Sequence, residues 1–214
     1  MTTGWSGSAK KKAASARSRV RSAAPGPAPS REVLHEAALA YLARGSATAA
    51  TLTRVLERRV SMWARRMARA ARDPELVAAD VARCKDAIEA VVARFREVGL
   101  VNDAAYAESR ARSLSRAGRS RRAISAHLAA KGVDADTVRQ ALPTDASAEL
   151  AAALAFARKR RIGPYARDPD VDRETKQKAL AAMARAGFDF HTCERALRMD
   201  REEADERLHE HLRY

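Results

Sequence analysis

Apolar residues recur from Leu34 to Leu197 in steps of three and four, the spacing of one face of an α-helix. The first stripe, Leu34, Ala38, Tyr41 and Leu42, predicts a short helix ended at Gly45. Thr48 then offers a side-chain oxygen to cap a long helix whose ladder reads Leu52, Leu56, Val60, Trp63, Met67 and Ala70. Asp73-Pro74 stops it, and a second ladder, Val77, Val81, Cys84, Ile88, Val91 and Phe95, runs on to Gly99. Two helices of about 25 residues, each roughly 37 Å long, joined by a proline-containing turn, predict an antiparallel hairpin. Its Met and Trp stripe reads as hairpin core rather than a cofactor box. Asn102-Asp103 caps the next helix, which carries Ala104, Tyr106, Ala107 and Leu114 and closes at Gly118. Ile124 and Leu128 mark a helix that stops at Gly132, and Asp134 caps a short one with Val138, Ala141 and Leu142 inward, ended by Pro143. No run of β-branched residues alternates with polar ones, so the chain reads as all-α.

The arrangement around Gly132 occurs twice. Residues 128–142 align without gaps to 183–197, with Ala129/Ala184, Gly132/Gly187, Asp134/Asp189, Thr137/Thr192, Ala141/Ala196 and Leu142/Leu197 identical. The glycines suit a left-handed helix end, and Val133 or Phe188 can pack back on the finished helix. The aspartates cap the following helix, with Val138 or Cys193 and an Ala-Leu pair as its buried face. One further helix precedes each copy, at 103–116 and 147–161. The unit is therefore three helices, each unit too small to bury a core alone, and the units should stack.

Charge changes the picture from a scaffold to a binder. The net charge is +14 over 214 residues, unevenly placed. Residues 1–31 carry seven Lys/Arg and no acid, residues 32–167 carry 25 basic against 15 acidic side chains, and residues 168–214 carry 9 against 12. A polyanion or an acidic protein surface is the natural partner for the first two zones. Between Ser109 and Val133 there is no acid, while Arg110, Arg112, Arg116, Arg119, Arg121, Arg122 and Lys131 lie astride the Gly118 turn. A solvated helix face normally mixes signs, so this uncompensated run implies a negatively charged partner. Residues 54–72 form a second block, with Arg54, Arg58, Arg59, Arg65, Arg66, Arg69 and Arg72 against Glu57, and Arg158-Lys159-Arg160-Arg161 forms a third. Arginines at glycine turns and helix ends suit phosphate contact, which is independent of sequence and sensitive to salt. Aromatics are only 5%, which disfavours base stacking as the mode of binding. The helix after Gly118 also fits a major-groove helix, although the Asn and Gln usual there are scarce.

No catalytic constellation is present as a motif: there is no phosphate-binding glycine loop, no CxxC and no HExxH. His209-Glu210-His211 sets its histidines on different faces of a helix, poor metal geometry, and His191 with Cys193 has the same defect. The chain reads as non-enzymatic, with no cofactor and no metal. Cys84 and Cys193 fall in apolar helical patterns and read as reduced core cysteines of a cytoplasmic protein. No stretch approaches the ~20 apolar residues of a membrane span. The start is Arg/Ser/Ala-rich and acid-poor, as transit peptides also are; with Pro25, Pro27 and Pro29 it reads as a disordered basic tail.

Residues 99–107, read Gly99, Leu100, Val101, Asn102, Asp103, Ala104, Ala105, Tyr106, Ala107, then Arg110, Gly118, Ile124, Leu128 and Lys131-Gly132-Val133, resemble the central repeat of the RecX family. There the pattern runs G-Φ-Φ-(D/N)-D-x-x-Φ-A, a basic helix, a glycine, then I-x-x-x-L-x-x-K-G-Φ. Lys176, Lys178, residues 184–188 and Ala196-Leu197 resemble the family's third repeat, and residues 37–56 its first. The resemblance implies three tandem three-helix repeats in an elongated array. Residues 60–86 read as an insertion that turns the first repeat into the long hairpin. The expected organisation is a disordered tail over 1–30, repeat 1 with its hairpin over 31–99, repeat 2 over 100–143, repeat 3 over 144–199, and an acidic C-terminal helix or tail over 200–214. By resemblance, the chain is a cytoplasmic monomer that binds RecA filaments on single-stranded DNA and limits their extension or promotes their disassembly, so tuning recombination, repair and the SOS response. The expected contacts are Arg110, Arg112, Arg116, Arg119, Arg121, Arg122, Lys131, Arg158, Lys159, Arg160 and Arg161. A general nucleic-acid-binding helical protein with no RecA partner is the alternative.

Overall fold

The structure, a computed structural model, describes residues 26–142, 145–168 and 172–213. Ten α-helices and one 3-10 turn occupy them, with no strand among the described residues. In chain order they are α1 (Arg31–Leu42), α2 (Ala49–Arg69), α3 (Pro74–Glu97), α4 (Asp103–Arg116), α5 (Arg121–Ala130), α6 (Ala135–Ala141), α7 (Ala146–Arg160), the 3-10 turn Gly163–Tyr165, α8 (Arg173–Arg185), α9 (Phe190–Arg198) and α10 (Arg201–Arg213).

Every α-helix starts where a short polar side chain accepts one of its free N–H groups. Ser30, Thr48, Asp73, Asn102, Ser120, Asp134, Asp145, Asp172 and Asp189 cap α1 to α9. Asp200 does the same for α10, accepting from the Glu203 N–H at 2.8 Å. The α4, α5 and α8 ends share one closing bond, from the N–H of Arg119, Val133 or Phe188 to the carbonyl of Leu114, Leu128 or Met183. Val133 and Phe188 fold back into the cores, as the repeat requires.

Three separate cores follow the three units. Leu34, Leu52, Leu56, Ile88, Val91 and Phe95 bind α1 to the α2–α3 hairpin. Ala107, Ala111, Ile124, Leu128, Val133 and Val138 knit α4, α5 and α6. Leu150, Leu154, Met183, Phe188, Cys193 and Leu208 hold α7 to α8, α9 and α10. From Leu150 to Ala157 α7 has no exposed residue, and there alanines 151–153 and Ala157 let neighbouring helices approach closely.

The joints between units are built alike. At the first, the Thr48 hydroxyl donates to the Lys131 carbonyl at 2.6 Å, and Asp103 Oδ1 accepts the Ala49 N–H at 2.8 Å. At the second, the Ser120 hydroxyl donates to the Ala186 carbonyl at 2.7 Å, and Glu149 accepts the Arg121 N–H at 3.0 Å. In both, the cap of one unit's second helix grips the glycine turn of the next unit. Gly132 meets Ala50 there, and Gly187 meets Ser120.

Two expectations change. The folded body starts before Arg31: Trp63 Nε1 donates to the Gly26 carbonyl at 3.0 Å, the Cys84 thiol approaches the Pro29 carbonyl at 3.4 Å, and Ala28 packs on the first core. A buried indole needs an acceptor, and this segment supplies it. The expected disorder of residues 1–25 lies outside the described residues. Residues 201–213, expected outside the repeats, form α10, whose Ala204 and Leu208 belong to the third core.

Candidate nucleic-acid interface

The acid-free run of the second unit is spread over α4, the turn at Gly118 and α5, with its arginines exposed and Lys131 half-buried. The structure sorts these residues into groups. Arg110 Nε donates to His127 Nε2 at 3.4 Å, tying α4 to α5. That bond requires Nε2 to be the unprotonated ring nitrogen. Arg119 and Lys131 also act on the half-buried ring. Burial first, then Arg110, Lys131 and Arg119, hold the His127 pKa below the ordinary imidazole value. Arg54 reaches over from α2, both Nη atoms lying 3.3 Å from the Ala130 carbonyl at the end of α5.

Arg121 and Arg122 sit at the second joint. Burial pushes the Glu149 carboxyl up, while the Arg121 N–H and charge pull it down. The aliphatic stem of Arg122 runs past the Gly187 turn. Arg112 pairs along its own helix with Glu108 at 3.9 Å, a weak exposed contact. Arg116 acts on His211 of α10, whose Nε2 lies 3.3 Å from the Ser115 hydroxyl. Burial, then Arg116, keep the His211 pKa low.

The third run ends α7. Arg158 lies near Tyr165, Lys159 is exposed, and the Arg160 guanidinium stands 5.6 Å over the Phe156 ring, a cation–π distance. Arg161 adopts φ 56° and closes the helix. Gly118 packs on the backbone of Phe156, where an added Cβ would meet its nitrogen at 2.7 Å. The Arg119 turn and the end of α7 therefore border one seam between the second and third units. Arg112 is not tied to that seam, whereas Arg116 meets the third unit at His211 of α10. His127 was not singled out in the sequence. Its signal was placement: one helical turn before Lys131, inside the acid-free run.

The seam gathers cations and N–H donors beside two carboxylates that are already engaged, Glu149 on the Arg121 N–H and Asp205 on the Tyr165 hydroxyl, and such a set of donors suits phosphate oxygens and no particular base sequence. Among the described residues no three His, Cys, Asp or Glu side chains come together as a metal ion would need, and no helix is long and apolar enough to cross a membrane.

A family model described as "RecX, second three-helix domain" matches residues 102–142, the span from the cap of α4 to the end of α6. The "Regulatory protein RecX" of Myxococcus xanthus (strain DK1622) is 40% identical over 160 residues, 73% of this chain and 80% of that protein. The chain belongs to the RecX family. The "Regulatory protein RecX" of Agrobacterium fabrum (strain C58 / ATCC 33970) is 41% identical over 109 residues, half of this chain and 57% of its own length. The crystal structure of RecX from Lactobacillus salivarius superposes with a TM-score of 0.55 at 20% identity, covering 82% of this chain and 97% of that one, which establishes a shared fold. The whole run from Arg110 to Lys131 falls inside the second RecX domain, while the Arg158–Arg161 run belongs to the unit after it.

Proposed function

We propose that this RecX-family chain regulates RecA recombinase by binding RecA filaments on single-stranded DNA and limiting their extension or promoting their disassembly. It does so in the cytoplasm, as a monomer, without a cofactor and without catalysis of its own. The observation that carries this reading is the acid-free run of the second RecX domain, which brings Arg119 and its neighbours to a seam with Arg158–Arg161. The contacts are Arg110, Arg119, Arg121, Arg122 and Lys131, then Arg158, Lys159, Arg160 and Arg161, each meeting DNA phosphate or an acidic RecA surface. Arg112, which pairs with Glu108, contributes less, and Arg116, beside His211 of the third unit, completes the set.

The test is RecA's single-strand-dependent ATP hydrolysis, with the chain titrated in well below one molecule per RecA at physiological salt. Inhibition is expected, and it should be lost in the folded triple variant Arg119→Glu, Arg121→Glu, Arg122→Glu. No effect at equimolar protein, with DNA binding intact, would leave a nucleic-acid-binding protein with no RecA partner.

A further inference from the structure

His127 is the one titratable ring in the second unit held between cations from three segments. Arg110 comes from α4, Arg119 from the turn and Lys131 from the end of α5, and these are the charges that act on the ring. The acids of the neighbouring elements are engaged elsewhere. Asp134 holds the Thr137 N–H at 2.9 Å and its hydroxyl at 2.6 Å, and Asp136 pairs with Arg139 on α6. On α4, Glu108 pairs with Arg112 and Asp103 holds the Ala49 N–H. From α2, Arg54 ends on the Ala130 carbonyl. The backbone at the end of α5 is thus held by Arg54 on the Ala130 carbonyl and by the Thr48 hydroxyl on the Lys131 carbonyl.

We propose that Arg110, Arg119, His127 and Lys131 form a node for one backbone phosphate of bound nucleic acid, at which His127 takes up a proton from solvent as the phosphate enters. Arg110 Nε and His127 Nε2 face each other at 3.4 Å, with the imidazole as acceptor. Protonation at Nε2 ends that bond and makes both atoms donors. A phosphate oxygen between them accepts from both, and its charge offsets the cations that, after burial, hold the ring's pKa down in the free protein. Binding and protonation are then linked, so affinity rises as pH falls through the imidazole range. This rests on the reading that the basic face binds nucleic acid.

The experiment uses the full chain and a fluorescent oligothymidylate, with anisotropy read at constant moderate salt near pH 6 and near pH 8. Wild type should bind roughly threefold to tenfold tighter at the lower pH. His127→Gln keeps an acceptor for Arg110 and cannot titrate. It should lose the pH dependence. An unchanged pH dependence in His127→Gln, or equal binding by wild type at both pH values, overturns the node. Proton NMR of the His127 ring gives a second answer that needs no variant. Its pKa should rise when the oligonucleotide is added, and a pKa that stays put overturns the proposal. Absence of binding at either pH is a separate failure, since it removes the nucleic-acid reading itself. Binding without a proton linkage removes the node alone.

Discussion

A methyl group added at Gly132 would lie 2.3 Å from the Cβ of Ala50, across the first joint, on a backbone at φ +82°. At Gly99 the backbone has φ +74° and nothing lies within 4 Å. The two glycines therefore separate strain from space. Gly99→Ala should cost about 1–2 kcal/mol, the left-handed penalty alone. Gly132→Ala should cost about 2–4 kcal/mol, because overpacking adds to it. Urea unfolding of the two variants checks the difference, and equal losses would mean the joint yields freely. The histidines make a second residue-scale prediction. His127 and His211 both have folded pKa values held below the ordinary one, so the unfolded chain binds more protons just below pH ~6.5. Stability of the nucleic-acid-free protein should fall as pH drops through that window, as a declining Tm. A double His127→Gln, His211→Gln variant should flatten the decline. The glycines were readable because their spacing repeats. His127 was not, because nothing in one dimension says that Arg110, 17 residues earlier, comes to rest beside it.

At the scale of elements, many starts and stops were legible because they have a local chemical cause: a Thr, Asn or Asp at the first turn, and a glycine, Asp-Pro or proline at the last. α10 was expected as a helix or tail, but its place in the third core was not, because only Ala204 and Leu208, one turn apart in an acid-rich stretch, mark its buried face. The segment before α1 was missed for a similar reason, since Trp63's need for an acceptor is visible only once the hairpin exists. The joints were also invisible, because a capping hydroxyl looks the same whether it serves one helix or two units. Thr48 and Ser120 are both fully buried and hold both their own helix and the next unit's turn. Thr48→Val and Ser120→Ala should each cost about 1–3 kcal/mol, a lost cap plus a carbonyl left without its donor. The losses should add in the double variant, because the joints share no residue. Denaturation midpoints measure this, and marked non-additivity would show that the units are coupled beyond their joints.

At the scale of the molecule, three cores linked by narrow joints predict three blocks of amide exchange rather than one. Protection should fall off around residues 99–102, between the first two units, and each core should open with its own free energy. A single uniform opening under native conditions would contradict this. The sequence carried the number of units and the charge of the middle one, since both are periodic or compositional. Which arginines share a seam depended on Gly118 meeting Phe156, a contact between units.

One cap breaks the series. α2 and α5 begin with a hydroxyl, Thr48 or Ser120, while α8, their counterpart in the last unit, begins with Asp172. Asp172 accepts the Thr175 N–H at 2.7 Å, and its bonds to Thr175 hold the carboxyl below its usual pKa. A hydroxyl can accept from its own helix and donate to a neighbour's carbonyl, whereas an ionised carboxylate can only accept. An ionised Asp172 therefore cannot make the second bond, to a neighbouring turn, that Thr48 and Ser120 make, and the joint chemistry of the first two units is not repeated at α8.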